Sequence, residues 1–431
     1  MDVVAASIPL FFLLIAIELL VATRRRDVVY RLNDSIADLS CGILSQVAGV
    51  FLVLLLYGAF AWVGEHWAIQ RWTALPPWPE GSPFVTATGA PGFAIRWPQL
   101  AAWSAVFVVV DLAYYWLHRR SHEVNILWAG HVVHHSSEEY NLTVALRQSS
   151  LHGLMSWVFY IPLALVGIPW VMFTVCHGIN LIYQFWIHTR EIQRLGLLES
   201  MMNTPSHHRV HHGVNPKYQD RNYAGVFIIW DRMFGTFTPE EEEPVYGITI
   251  PLASWDPLWA NVHVFREIFR HAWQTRRWRD KLRVIFGPPS WRPADIGRSI
   301  VAPEVSLASY HKYDPVIPAR VSPYLAVQFG SLLLGALLLL RFAGELPLVQ
   351  VASGGFYLAI GLSSLGGLLE GHLWAAAVEV ARLAVLLLVA TALLALSRLE
   401  LPLIGAILGF GLLSLAWLVP VRRALAPLGT T

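Results

Sequence analysis

Nine histidines of this chain recur at spacings that suit a helix. One pair is four residues apart, two triplets repeat a three-then-one spacing, and a lone histidine lies between the triplets. The set is His118, His122, His131, His134, His135, His188, His208, His211 and His212. Residues three or four apart share one helix face, so the rings of each motif can converge. Imidazole is a common ligand for zinc, copper, iron and nickel, and the pattern therefore predicts a metal site.

The number of imidazoles favours two ions over one, because a tetrahedral metal takes only four ligands. A zinc-protease motif is absent, since Ile126 stands where a second histidine would follow His122 and Glu123. The two cysteines, Cys41 and Cys176, lie away from the histidine motifs and offer no thiolate site. Two irons held by imidazoles with little carboxylate would suit oxygen activation at an unactivated C–H bond.

The composition places these motifs in a membrane protein. Hydrophobic residues make up 55% and charged residues 14% of the 431 residues, against roughly 25% charged in an ordinary globular domain. The mean hydropathy is +0.49. A net charge of +2 excludes binding of nucleic acid driven by bulk charge. We therefore expect an apolar, lipid-like substrate that reaches the metals from the bilayer, with O2 as co-substrate.

Apolar segments predict the elements that must position the histidines. Spanning helices are expected at residues 3–21, 41–63, 100–117, 324–340, 348–368, 374–396 and 403–419, and a helical hairpin at 152–166 and 168–186. Arginines 24–26 stop the first segment, and by the positive-inside rule they and the histidine motifs lie on the cytosolic side. The predicted fold is an all-α polytopic membrane protein, a helical bundle with a cytosolic histidine-rich helical cap.

Four regions follow from this pattern. Residues 1–100 would form N-terminal membrane helices, and residues 101–250 a di-metal catalytic domain. Residues 251–320 would be a cytosolic linker region, and residues 321–431 a C-terminal four-helix membrane bundle.

Longer motifs around the histidines carry a family resemblance. They include Trp128-Ala129-Gly130-His131, Ala145-Leu146-Arg147-Gln148-Ser149, Asn203-Thr204-Pro205-Ser206-His207-His208 and Asp220-Arg221-Asn222-Tyr223-Ala224-Gly225. The chain resembles the integral-membrane fatty acid hydroxylase and sterol desaturase superfamily, and within it the alkylglycerol monooxygenase family. The likeness is dense from about residue 111 to residue 247 and looser elsewhere.

The resemblance implies a specific chemistry. The nine histidines would bind two Fe ions, and tetrahydrobiopterin or another reduced pterin would supply electrons. The enzyme would hydroxylate the ether-linked carbon of an alkylglycerol lipid, giving fatty aldehyde and a glycerol derivative. A pterin-recycling or electron-donor protein would be a partner. Gln184 replaces a histidine found in much of the superfamily, which leaves one metal with an amide, water or open position.

Two carboxylates are candidate catalytic residues. Asp111 lies seven residues before His118, on nearly the same helix face, and a carboxylate inside an apolar span is functional by default. We expect it to accept a hydrogen bond near the site, with a structural ion pair as the alternative. Glu123 follows His122 and would bind a metal or orient a ligand, with a solvated interfacial carboxylate as the alternative.

Other residues near the motifs have weaker assignments. His207 breaks the register of the last triplet and is expected to support the site without binding metal. The lone histidines His152 and His177 are expected to be packing residues. Glu138, Asn141 and Arg147 would contact the pterin, support the ligands or brace the cap.

Two other functions stay open. The first is a hydroxylase or desaturase of another lipid, sterol or fatty acyl, on the same scaffold. The second is a divalent-metal transporter, which would need histidines along a mid-membrane path. The membrane would be the endoplasmic reticulum or a bacterial cytoplasmic membrane.

Overall fold

A computed structural model describes residues 3–86, 93–297, 305, 310–396 and 400–425 of the chain. The described residues are almost entirely helical, which confirms the all-α prediction. One two-stranded antiparallel hairpin, β1 (Phe84–Thr86) and β2 (Phe93–Ile95), interrupts a loop. The helices are α1 (Val3–Arg25), α2 (Leu32–Trp67), α3 (Trp97–Glu123), α4 (Asn125–Ala129), α5 (Val132–His135), α6 (His152–Leu165), α7 (Trp170–Trp186), α8 (Pro205–His211), α9 (Ile229–Phe234), α10 (Pro257–Gln274), α11 (Trp278–Phe286), α12 (Ser322–Phe342), α13 (Leu348–Leu369), α14 (Leu373–Ala395) and α15 (Leu401–Leu425).

Seven of these helices are long and apolar enough to cross a membrane within the described ranges. They are α1, α2, α3 and the four C-terminal helices α12 to α15. Each corresponds to a predicted segment, and the multi-pass membrane prediction is confirmed. Helix α2 begins nine residues earlier than its apolar run at Cys41, because Asp34 and Asp38 are buried against the cap and continue the helix there.

The predicted helical hairpin is formed by α6 and α7. They have 14 and 17 residues, which is short of the roughly 20 needed to span a bilayer. Gly167 in the connection has φ +75°, and a Cβ there would lie 1.9 Å from the Gln70 side-chain oxygen. Pro169 then precedes the first turn of α7. The reversal therefore needs a glycine at this position.

The C-terminal bundle contains a buried ion pair within the apolar helices. Arg382 and Glu379, both on α14, approach to 2.5 Å, and their side chains are 2% and 0% exposed. Gln328 accepts a hydrogen bond from Arg382, while Tyr324 and Ser364 donate to Glu379. Charges inside a membrane are costly unless they are paired and hydrogen-bonded, and this network meets that requirement.

The cap is built from the short helices α4, α5, α8 and α9 and the loops between them. Helices α10 and α11 lie in the region predicted as a linker, and α10 packs against α4, α2 and α13. Ile268 of α10 and Val284 of α11 form a small core with Ala129 of α4. The side chain of Asp256 accepts a hydrogen bond from Leu258 N and caps the start of α10. This segment therefore covers the cap and connects it to the bundle.

The buried pair in the bundle gives a stability prediction. Glu379→Leu leaves the Arg382 charge buried without its partner, so we expect a loss of roughly 3–5 kcal/mol in unfolding free energy. The double variant with Arg382→Met removes both charges and should recover most of that loss. Thermal unfolding in detergent measures the effect. Glu345→Gln is the control, because Glu345 is 67% exposed in its pair with Arg341. Equal stabilities for Glu379→Leu and the control would contradict the prediction.

Candidate metal centre

Four separate stretches of the chain bring the nine predicted histidines together. His118 and His122 lie on the last turns of α3, and His188 follows the end of α7. The first triplet lies on α5 and the residue before it. His208 and His211 lie on α8 and His212 directly follows it; α8 begins at Pro205, where the fixed φ of proline suits a helix start. Eight of the nine histidines are buried in the cap. His122 is partly buried as a residue, and 8% of its side chain is exposed.

The rings form two groups, a distribution that the spacing alone left open. One nitrogen from each ring lies within 4.8 Å of the others in its group. The first group is His118, His122, His131, His135 and His211, and the second is His134, His188, His208 and His212. Sequence neighbours therefore diverge, with His134 and His135 facing different groups. Together the groups contain the whole predicted set.

The nitrogens within each group are too close for uncharged lone pairs to coexist without a bridging proton or cation. The Nε2 atom of His131 lies 3.0 Å from Nε2 of both His118 and His135. In the second group, Nε2 of His208 lies 3.0 Å from Nε2 of His188. Nε2 atoms of three further rings are buried without a hydrogen-bond partner among the described residues: His122, His211 and His212. These unpaired donor atoms fit a metal ion in each group.

Backbone carbonyls hold four of the rings in a metal-binding orientation. Nδ1 of His118 donates to Tyr223 O at 2.8 Å, and Nδ1 of His211 donates to Arg221 O at 2.9 Å. Nδ1 of His134 and of His188 donate in the same way, to Arg147 O at 3.1 Å and to Gln184 O at 2.7 Å. A carbonyl can only accept, so each Nδ1 carries the proton and each Nε2 is free to bind metal.

A strained loop supplies two of those carbonyls. Asp220 and Asn222 have φ values of 57° and 54°, a left-handed conformation that aspartate and asparagine tolerate better than most residues. The Asn222 side chain donates to His207 O and accepts from Thr238 N. The Asp231 carboxylate accepts from the backbone of Tyr223 and Ala224. Asp220, Asn222 and Tyr223 belong to a motif that carries the family resemblance, and in the structure they shape this loop together with Asp231.

Asp111 is buried and supports the site indirectly. Among the described residues, its oxygens accept from Val226 N, Phe227 N, Trp230 Nε1 and Asn180 Nδ2 at 2.6–3.0 Å, and not from an imidazole. Asn180 Oδ1 in turn accepts from Gln184 Nε2 at 2.7 Å, and the carbonyl of Gln184 holds His188. Asp111 therefore connects the loop after the second triplet to α7. Asn180 was not found by sequence reasoning, because an amide inside an apolar helix carried no recognisable motif.

Glu123 takes part in ion pairs at the edge of the cap. Its carboxylate lies 2.8 Å from Arg119 and 2.6 Å from Arg120, and its side chain is 31% exposed. This placement corresponds to the alternative of an interfacial carboxylate. A catalytic role for Glu123 stays a prediction.

The remaining predicted residues brace the cap. Arg147 pairs with Asp38 at 3.1 Å, and both are buried. Glu138 accepts from Tyr313 N, and Asn141 donates to Val29 O.

The three further histidines singled out from the sequence, His207, His152 and His177, lie outside the two groups. The ring of His207 contacts Phe237, and its Nε2 lies 4.0 Å from Glu199. The ring of His152 lies 5.8 Å from that of His131, and the ring of His177 packs on Tyr160.

Burial sets the charge state of the cluster. It lowers the pKa of the imidazole of His188 to about 4, since a buried cation loses its hydration. It lowers the pKa of six further rings well below the usual range: His131, His134, His135, His208, His211 and His212. These seven rings are therefore neutral near pH 7, and the neutral imidazole is the form that binds metal.

The fold and the site define a class of protein: integral-membrane proteins in which two adjacent groups of histidines could each hold a metal ion. The fatty acid hydroxylase family model matches residues 103–236. Alkylglycerol monooxygenases of Xenopus tropicalis and Homo sapiens are each 38% identical to this chain, over 88% of it and 80–81% of their own lengths. That of Danio rerio is 36% identical over similar shares. The chain belongs to the alkylglycerol monooxygenase family, and it is a membrane lipid monooxygenase. No solved structure matches the chain.

The two groups give a prediction about metal content. His135→Ala removes a ligand from the first group and His212→Ala one from the second, so each variant should retain about one fewer metal ion per chain than the parent. Elemental analysis of purified, folded protein measures this. His311→Ala is the control, since His311 is exposed and outside both groups. Unchanged metal content in both ligand variants would contradict the assignment.

The contacts of Asp111 give a second prediction. Asp111→Asn replaces one acceptor oxygen with a donor facing N–H groups, which should displace Asn180 and, through Gln184, the carbonyl that holds His188. We expect weaker binding of the metal of the second group, measured as a lower concentration of chelator for half-removal. Asp27→Asn, an exposed aspartate, is the control. The same chelator sensitivity in both variants would show that Asp111 does not position the ligands.

Proposed function

We propose that this chain is a di-iron, reduced-pterin-dependent enzyme that hydroxylates the ether-linked carbon of alkylglycerol lipids. The observation that carries the proposal is the pair of buried imidazole groups in a chain related over most of its length to alkylglycerol monooxygenases. Iron is one of the metals that imidazole binds well, and the relationship to monooxygenases, which must activate O2, favours iron for both groups.

The reaction balances with one reductant. One atom of O2 enters the C–H bond next to the ether oxygen, and the other leaves as water. Two electrons and two protons come from the reduced pterin. The product is a hemiacetal, whose C–O bond to glycerol breaks to give a fatty aldehyde and free glycerol hydroxyl. Bound iron would supply the activation of O2.

The chain's own residues would hold the metals and limit their access to water. Five imidazoles would bind one iron and four the other. Gln184 occupies the position of a further ligand found in related proteins, and its amide donates to Asn180 instead, which leaves a coordination position for a non-protein ligand. Tyr140 is fully buried and packs its ring against His188 and His212. Such apolar walls keep bulk water from the reacting carbon.

Topology supports a cytosolic active site. Arg24 and Arg25 lie in the last turn of α1 and Arg26 follows it, and α3 carries Arg119 and Arg120 at the end that enters the cap. In that orientation the site would meet a soluble pterin and a pterin-recycling or electron-donor partner in the cytosol. The membrane would be the endoplasmic reticulum or a bacterial cytoplasmic membrane.

The two alternatives are less well supported. A hydroxylase or desaturase acting on a sterol or fatty acyl chain would share the metal groups, but the relatives with the longest matches are alkylglycerol monooxygenases. A metal transporter needs ligands along a path through the membrane. Here the nine rings are packed together in the cap.

An aldehyde-release assay tests the proposal. Purified protein loaded with iron, given 1-O-alkylglycerol, O2 and tetrahydrobiopterin, should release fatty aldehyde in proportion to pterin oxidised, with one atom of ¹⁸O2 in the aldehyde before exchange. His135→Ala should reduce the rate by at least about a hundredfold, and His311→Ala should leave it unchanged. A hydroxylated sterol or fatty acid as the sole product, under matched conditions, would favour the first alternative.

A further inference from the structure

A large cavity lies between the helical hairpin and the neighbouring membrane helices. Its volume is about 1140 Å³, and α2, α6 and α7 supply most of its wall, with the beginning of α1 and the facing ends of α12 and α13 completing it. The lining is mainly aliphatic and aromatic. Its polar residues include three serines of the 149–156 stretch, Ser149, Ser150 and Ser156. An apolar cavity with few polar groups is typical of a site for a lipid-like ligand.

The polar end of the cavity adjoins the metal centre. Ser149 follows Gln148, whose side chain lies 3.3 Å from His134 Nδ1, and the Ser149 carbonyl accepts from Ser45 at 3.3 Å. His152 begins α6 at the same end, and its ring lies 5.8 Å from that of His131. From the cavity wall, α7 continues to His188. The polar end of the cavity therefore lies on the side of the wall helices that is nearest to the two imidazole groups.

Aromatic rings line the opposite end. Phe60 and Phe173 stack with ring centroids 4.5 Å apart, and Tyr160 lies 5.1 Å from Phe173. All three side chains are buried. Along α2, the distance from Ser45 to Phe60 is about 22 Å at the rise of a helix. This exceeds the roughly 15 Å that the hydrocarbon of one leaflet occupies, so the cavity has room for one long, extended alkyl chain.

We infer that this cavity binds the alkyl chain of the ether lipid, with the ether carbon at the Ser149–His152 end and the chain terminus against Phe60, Tyr160 and Phe173. The inference rests on the proposed function and extends it, because it assigns chain-length selection to particular residues. In this orientation the chain points toward the bilayer interior and the glycerol toward the cap, as the lipid lies in a membrane. The aromatic end sets the longest chain that is accepted.

Two glycines of α2 provide matched variants. A Cβ added at Gly49 or at Gly58 meets nothing within 4 Å, so both positions tolerate a side chain. Gly49 lines the cavity, whereas Gly58 is exposed outside it. Gly49 lies one helical turn from Ser45, about 6 Å along α2, so Gly49→Phe should block the cavity near its polar end and lower octadecylglycerol cleavage by at least about tenfold. Gly58→Phe should keep the parent rate.

A binding measurement tests the same site without turnover. An octadecylglycerol analogue with a photoreactive diazirine on its terminal carbon should label peptides that contain Phe60, Tyr160 or Phe173 in the full-length protein. Excess unlabelled octadecylglycerol should compete, and Gly49→Phe should lower the labelling while Gly58→Phe leaves it unchanged. Labelling confined to α14 or α15 would overturn the inference.

The two proposals fail in different ways. Aldehyde release by the parent with equal rates of octadecylglycerol cleavage in Gly49→Phe and Gly58→Phe would overturn the cavity assignment and leave the function intact. Competed labelling at the aromatic end without aldehyde release from any alkylglycerol would support the cavity and contradict the proposed reaction.

Discussion

The structure depends on holding nine imidazoles close together in two groups. Several Nε2 atoms lie only 3.0 Å from one another, and unpaired nitrogens of His122, His211 and His212 point into buried space. Such an arrangement is unfavourable for the rings by themselves, because their lone pairs repel and lack donors. A cation in each group makes the same geometry favourable. The geometry of the cap therefore suits a cation in each of the two groups.

The rest of the cap serves this constraint through the backbone. Carbonyls of a left-handed loop orient rings from α3 and α8, and the carbonyl of Gln184 orients His188. Asp111, on α3, accepts hydrogen bonds from Val226 N, just after that loop, and from Asn180 of α7. One buried carboxylate therefore connects α3 and α7 to the loop. The hairpin of α6 and α7 also forms a wall of the cavity, and the polar end of that cavity adjoins the imidazole groups. In our proposal the same helices therefore position the metal ligands and bind the lipid chain.

Sequence reasoning predicted the helices and the ligand set because both have strong periodic signals. Apolar runs located all seven candidate spans, and repeated spacings identified every histidine of the two groups except the lone His188. The division into groups was not predictable, since His134 and His135 are neighbours whose side chains point in directions about 100° apart on a helix. The partners of Asp111 were also hidden, because they come from residues 69 to 119 positions away. Local patterns cannot report such long-range contacts.

The central claim is that imidazole nitrogen, supplied by these nine side chains, surrounds two metal ions in one chain. X-ray absorption at the iron edge of the purified, iron-loaded protein tests it most directly. The account predicts a first shell dominated by nitrogen at roughly 2.1 Å, with the outer-ring carbon scattering of imidazole and two irons per chain. A first shell dominated by carboxylate oxygen, or a single iron per chain at saturation, would contradict it.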